Sequence, residues 1–225
     1  MSFCRFQMQN RFFRFKKIIV FPSFVHVFHR FSIKNMKKLF VFSLLVGFFA
    51  SPIFSQKLTD ARTRWSDSFT EWLLFATPDT AGNHDPQAEQ IGKISLRWPQ
   101  NDDFTEWNLD CDNLRGSIKL KWKTDQNRWE LRADGEIITM KTRWDNDFSE
   151  WKITDDETSI ILKTRFNTAN EWLTDDPKMG RFYMYTLFAD DPRDWAIDDR
   201  LSEKISPAMR MAMVFTVLFQ SSPRQ

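Results

Sequence analysis

An all-β fold, built as an antiparallel meander of hairpins, follows from three features of the sequence. Aromatic pairs recur along it, a strand of alternating apolar and polar residues precedes each first aromatic, and turn formers separate the two members of a pair. The pairs are Trp65/Trp72, Trp98/Trp107, Trp122/Trp129, Trp144/Trp151, Phe166/Trp172 and Phe188/Trp195, and their first members advance by 33, 24, 22, 22 and 22 residues. Spacing of this regularity marks an internal repeat, which is read before any local propensity.

The strands come first. Ile138, Met140, Thr142 and Trp144 alternate with polar residues, as do Ile160, Leu162, Thr164 and Phe166, and then Phe182, Met184, Thr186 and Phe188. Shorter runs, Ile94-Leu96-Trp98 and Ile118-Leu120-Trp122 taken at every second position, keep the same register. A period of two is that of a strand with one apolar face. After each pair the alternation resumes, as in Trp107/Leu109, Trp129/Leu131, Trp151/Ile153 and Trp195/Ile197, so both aromatics of a pair are expected on the inner face. Asp145-Asn146-Asp147 and Asn167-Thr168-Ala169-Asn170 supply turn chemistry between them. Each unit of 22 residues therefore reads as one hairpin.

The other face carries a charge pattern. Arg64, Arg97, Arg143 and Arg165 precede the first aromatic, and Glu71, Glu106, Glu150 and Glu171 precede the second. In a hairpin these charges become cross-strand neighbours on the solvent side, each pair worth ~0.2–1 kcal/mol. They also oppose a register slip, which would turn every apolar side chain outward.

Six hairpins and a terminal strand around Met209–Phe219 give about a dozen strands with one apolar face to bury. The sheet is expected to close into a barrel, or to flatten into a sandwich-like form, and closure removes exposed edges. A hairpin solenoid is the alternative architecture. The stretch from Trp122 to Ile137 resembles the Trp-spaced hairpins of choline-binding wall modules, and that resemblance implies stacked hairpins; it covers a single unit. An outer-membrane barrel is a further alternative, because 22-residue hairpins and aromatic girdles occur there. Against it, Asp155, Asp156 and Glu157 follow Ile153 almost at once, whereas a spanning strand takes ~9–11 residues.

The N-terminal quarter reads differently. Lys37 and Lys38 form a basic start, Leu39 to Phe49 an apolar stretch of 11 residues, and Ser55 a small residue at a cleavage position, so 36–55 is expected to be a Sec signal peptide. Eleven residues are too few to span a bilayer, which takes ~20. Residues 1–35, with seven Lys or Arg and no acid, precede a complete signal and are read as an over-extended N-terminus ahead of a true start at Met36. The mature chain, 56–225, is then a single hairpin domain in the periplasm, the envelope or the medium. It keeps 23 basic side chains against 30 acidic ones, a net charge of −7. Such a body repels phosphate backbones, so nucleic acid is not an expected partner.

Candidate chemistry is sparse. Acids gather at the turns, as in Asp102, Asp103 and Glu106, in Asp145, Asp147 and Glu150, and in Asp190, Asp191 and Asp194. Oxygen-rich turns suit Ca²⁺, but Asp and Asn are also ordinary turn residues and no loop matches a calcium-binding pattern, so no metal or cofactor is expected. Glycoside hydrolysis needs one carboxylate pair in distinct environments, whereas here every unit repeats its acids. Cys111 falls on the inward register, where a free thiol behaves as a small hydrophobe. His84 lies in the loop that lengthens the first spacing, and loops inserted into regular arrays are places for binding.

Phe69, Phe104 and Phe148, each three residues before the second aromatic, either tuck under their turns as plugs or stand out as a ridge for a partner; the plug is the expected arrangement. The candidate binding residues are therefore Phe69, Phe104, Phe148 and His84. With no catalytic constellation, the chain reads as an exported binding or scaffold module for a glycan, wall polymer or protein. The alternative is a barrel that carries a small apolar ligand.

Overall fold

The computed structural model describes residues 57–77, 88–101 and 103–223. The expected signal segment 36–55, residues 1–35, Asp102 and His84 lie outside them. Twelve strands follow one another in chain order: β1 (Lys57–Trp65), β2 (Ser68–Thr77), β3 (Glu89–Leu96), β4 (Glu106–Cys111), β5 (Leu114–Trp122), β6 (Asp125–Ala133), β7 (Glu136–Trp144), β8 (Asp147–Thr154), β9 (Ser159–Thr164), β10 (Glu171–Asp176), β11 (Gly180–Phe188) and β12 (Asp191–Leu201). Each pairs antiparallel with the next, and β12 returns to β1 through Asp60–Ala196, Ala61–Trp195 and Arg62–Asp194. The meander is a closed barrel, the first of the forms expected from the alternation.

Because neighbours are antiparallel, the odd-numbered strands all end at one rim of the barrel, called here the aromatic rim. The opposite rim carries tight turns such as Asp134–Gly135, where both residues have positive φ (48° and 84°). That pair is the conformation of a two-residue hairpin turn whose twist matches the strands, and Gly takes it without strain.

The inner face is the core. Ile94, Ile118, Leu131, Ile138, Met140, Ile153, Leu162, Phe182 and Met184 are all buried there. A barrel of twelve strands encloses more space than its own inward side chains fill, and this one is filled by a helix.

The helix overturns the expected terminal strand at Met209–Phe219: Pro207–Ser221 forms α1. Ser206 is its N-cap, accepting from the Met209 N–H at 3.2 Å, and Pro207 occupies the first turn, where a missing N–H costs nothing. Met209 and every residue from Met211 to Phe219 is buried, so the helix is apolar all round, as one enclosed on every side must be. An all-round apolar run shows no period, and that is why strand and helix could not be separated by alternation.

Three sets of contacts hold α1 in the lumen. At the end far from the aromatic rim, Arg210 forms an ion pair with Asp199 and donates to the carbonyls of Leu201, Ser202 and Ile205, while Ser206 donates to Glu136 at 2.6 Å. In the middle, Phe215 and Phe219 meet the edges of Trp107 and Trp129 with centroids 4.5–6.3 Å apart. At the aromatic rim, the Ser221 hydroxyl donates to the Ala169 carbonyl at 2.7 Å and lies 3.1 Å from the Trp172 indole nitrogen.

Candidate functional site

The aromatic pairs do not share a face, which corrects the expectation from alternation. The second members, Trp72, Trp107, Trp129, Trp151, Trp172 and Trp195, are at most 3% exposed. The first members, Trp65, Trp98, Trp122, Trp144, Phe166 and Phe188, are 48–76% exposed. In four of the six hairpins the cause is a bulge at the end of the hairpin. In those of Trp98 and Phe166 the first ring lies past the last strand residue, in the connecting loop. In β7 and β8 the ladder runs through Met140–Ile153 and Thr142–Trp151, then jumps to Trp144–Asp147, so Arg143 alone opposes Phe148, Ser149 and Glu150. The same jump separates Thr63 from Trp65, Leu120 from Trp122, and Thr186 from Phe188. A bulge breaks the period of two, and the extra residues re-aim the side chains around it.

The extra residues close the mouth of the barrel. Phe69, Phe104 and Phe148 are half-buried against the core, each beside the Trp three residues on, with centroids 5.9, 6.2 and 6.2 Å apart. The buried indole bonds back to the same turn: Trp107, Trp151, Trp172 and Trp195 donate to the carbonyls of Phe104, Phe148, Ala169 and Pro192 at 2.8–3.0 Å. This satisfies a donor that would otherwise be buried without a partner. Trp129 makes no such bond and its Nε1 has no partner.

Outside the barrel mouth, five of the six exposed rings sit in a frame of charge. Arg64, Arg97, Arg143 and Arg165 lie over the rings of Trp65, Trp98, Trp144 and Phe166, with guanidinium carbons 4.7–5.8 Å from the centroids. The same arginines reach Glu71, Glu106, Glu150 and Glu171 across the hairpin at 2.9–3.4 Å, and Lys121 pairs with Glu130 in the hairpin of Trp122. Lys93 and Lys119 extend two of these pairs to the neighbouring hairpin. Tyr183 donates to Glu171 at 2.7 Å; burial and that carboxylate push its phenol above the usual range.

Beyond the rings come the turn acids. Asp103, Asp125, Asp147 and Asp191 each accept the N–H two residues on, and hydrogen bonds from Thr105, Asn127, Ser149 and Arg193 hold their carboxyls below the usual range. Their lone pairs therefore serve their own turns. Among the described residues no three His, Cys, Asp or Glu side chains gather as a metal site.

The turns are tied to one another. Asn127 accepts from the Asn146 N–H at 2.8 Å, Asn170 donates to Asp190 at 2.8 Å, and Arg193 donates to the Ser66 carbonyl at 3.2 Å across the seam where the barrel closes. The rings thus stand on a fixed rim. Below it, a residual cavity of about 10 Å³ lies between Trp72, Trp107, Phe215 and Phe219. That is no more than one water needs. Cys111 is buried at the far rim, and desolvation pushes its thiol up to about 12.

Sequence reasoning missed the exposed ring of each pair as a surface feature, although the turn residues that form the bulge were visible. Comparison of the chain with protein-family models, with curated proteins and with solved structures finds no match.

Proposed function

We propose that the protein is a non-catalytic binding module, exported and working in the envelope or outside the cell, that presents its aromatic rim to a glycan, wall polymer or protein. The observation that carries this reading is the set of six exposed rings on one rim, one for each hairpin, five of them framed by ion-paired side chains. Large aromatic surface left in water at fixed, repeated positions suits a partner that is itself extended or multivalent.

Two other readings draw less support. A carrier of a small apolar ligand needs a cavity, and α1 fills the lumen. A membrane-spanning barrel needs an outward apolar band, and Lys93, Lys119, Lys141, Lys152 and Lys163 face outward here. Export rests on the segment Met36–Gln56, with a mature chain beginning near Gln56. Mass spectrometry of the protein from its native host checks that start.

Cosedimentation tests the binding reading. The mature chain is expected to sediment with isolated cell envelope or wall material, and a chain with Trp98, Trp122 and Trp144 replaced by Ala is expected to stay in the supernatant. Equal sedimentation of both chains, or of neither, would contradict it.

A further inference from the structure

The frame around the rings selects among partners. Trp65, Trp122 and Trp144 end β1, β5 and β7, and Trp98 lies two residues past the end of β3; the four strands alternate in one sheet. With neighbouring strands ~4.8 Å apart, the alternate strand ends that carry Trp122 and Trp144 stand about 10 Å apart. Between them lie polar groups in both hydrogen-bonding senses: guanidinium and ammonium donors at Arg97 and Lys121, and carboxylate acceptors at Glu106 and Glu130.

A bilayer fits poorly, because Asp145 and Asp147 flank the turn beyond Trp144 and would have to enter the apolar layer with it. The same acids repel phosphate-bearing and uronate-bearing chains. A protein interface gathers its aromatic anchors into a core depleted of charge, whereas an ion pair separates each ring here from the next. A neutral pyranose meets the whole set. Its C–H face lies flat on an indole, and its equatorial hydroxyls take hydrogen bonds from guanidinium and give them to carboxylate. An extended β-1,4-linked chain presents the same sugar face again after each disaccharide, a repeat close to the spacing of alternate strands.

We infer that the arc Trp98–Trp122–Trp144 is a platform for a neutral, extended β-1,4-linked hexopyranose polymer, one disaccharide to each indole. This rests on the binding-module reading above and names its ligand class. The turn-to-turn bonds through Asn127 and Asn146 hold neighbouring rings in place before the ligand arrives, so little ordering remains to be done on binding.

Calorimetric titration of the mature chain with cellohexaose, chitohexaose and maltohexaose, and with the corresponding disaccharides, tests this. At least one β-1,4 hexasaccharide is expected to bind ten-fold or more tightly than its disaccharide, since it reaches three rings, and maltohexaose, whose α linkages curl the chain, is expected to bind at least ten-fold more weakly. The double substitution Trp122→Ala with Trp144→Ala is expected to abolish that binding while leaving the urea midpoint unchanged. Binding that ignores linkage or chain length, or that survives the double substitution, overturns the inference. So does the absence of β-1,4 binding: if the chain still sediments with envelope material, only the ligand class falls, and if it does not, the binding-module reading falls with it.

Discussion

Trp151 donates its indole N–H to the carbonyl oxygen of Phe148 at 3.0 Å, and the Phe148 ring lies against that indole with centroids 6.2 Å apart. One turn thus supplies both the acceptor and the lid for the largest buried side chain of its hairpin. The arrangement divides the aromatics of a hairpin into three roles: a buried Trp, a half-buried Phe over it and an exposed ring outside both.

Their truncation costs should follow the same order. Trp151→Ala is expected to destabilise the protein by ~3–5 kcal/mol, Phe148→Ala by ~1–2 kcal/mol, and Trp144→Ala by no more than ~0.5 kcal/mol. Urea unfolding of the three variants beside the parent measures them, and equal losses at Trp144 and Trp151 would deny the division.

Arg210 and Asp199 pin the start of the lumen helix. Arg210→Met is expected to cost ~3–5 kcal/mol, because it strands the Asp199 carboxylate in a buried place, and adding Asp199→Asn should recover much of that loss. Two additive losses would mean that the pair is not coupled.

Cys111 should be inert in the native state. With burial raising its thiol to about 12, almost no thiolate exists at pH 8. A thiol reagent such as DTNB is expected to react only after urea unfolds the barrel, and prompt native labelling would contradict the burial.

Acid should act late. The carboxyls of Asp103, Asp125, Asp147 and Asp191 are depressed in the folded state by their turn hydrogen bonds. A depressed carboxyl contributes stability that is present above its unfolded value, ~3.9, and is lost as pH falls through the folded one. The thermal midpoint is therefore expected to be level from pH 7 to 5 and to fall below about pH 4. A decline beginning near pH 6 would point to other groups.

The hairpins, their order and the cross-strand Arg–Glu pairs were legible in the sequence because each depends on the strand period of two. The exposure of Trp65 or Trp144 was not, since a bulge of two extra residues changes no residue type and leaves the written alternation intact. The helix was half-legible: Ser206-Pro207 is a helix start that the continuous apolar run after it concealed. The rim as a site could have been read from the Arg or Lys before five of the six first rings, because a side chain framed by charge is one that meets water.

Tryptophan oxidation in the native protein tests the central division of the rings most directly. Of the ten tryptophans, hydroxyl-radical footprinting read by mass spectrometry is expected to modify Trp65, Trp98, Trp122 and Trp144 rapidly. Trp72, Trp107, Trp129, Trp151, Trp172 and Trp195 should stay protected until the barrel unfolds. Comparable native rates for Trp144 and Trp151, or protection of all ten, would contradict the account of a rim that shows one ring of each pair and buries the other.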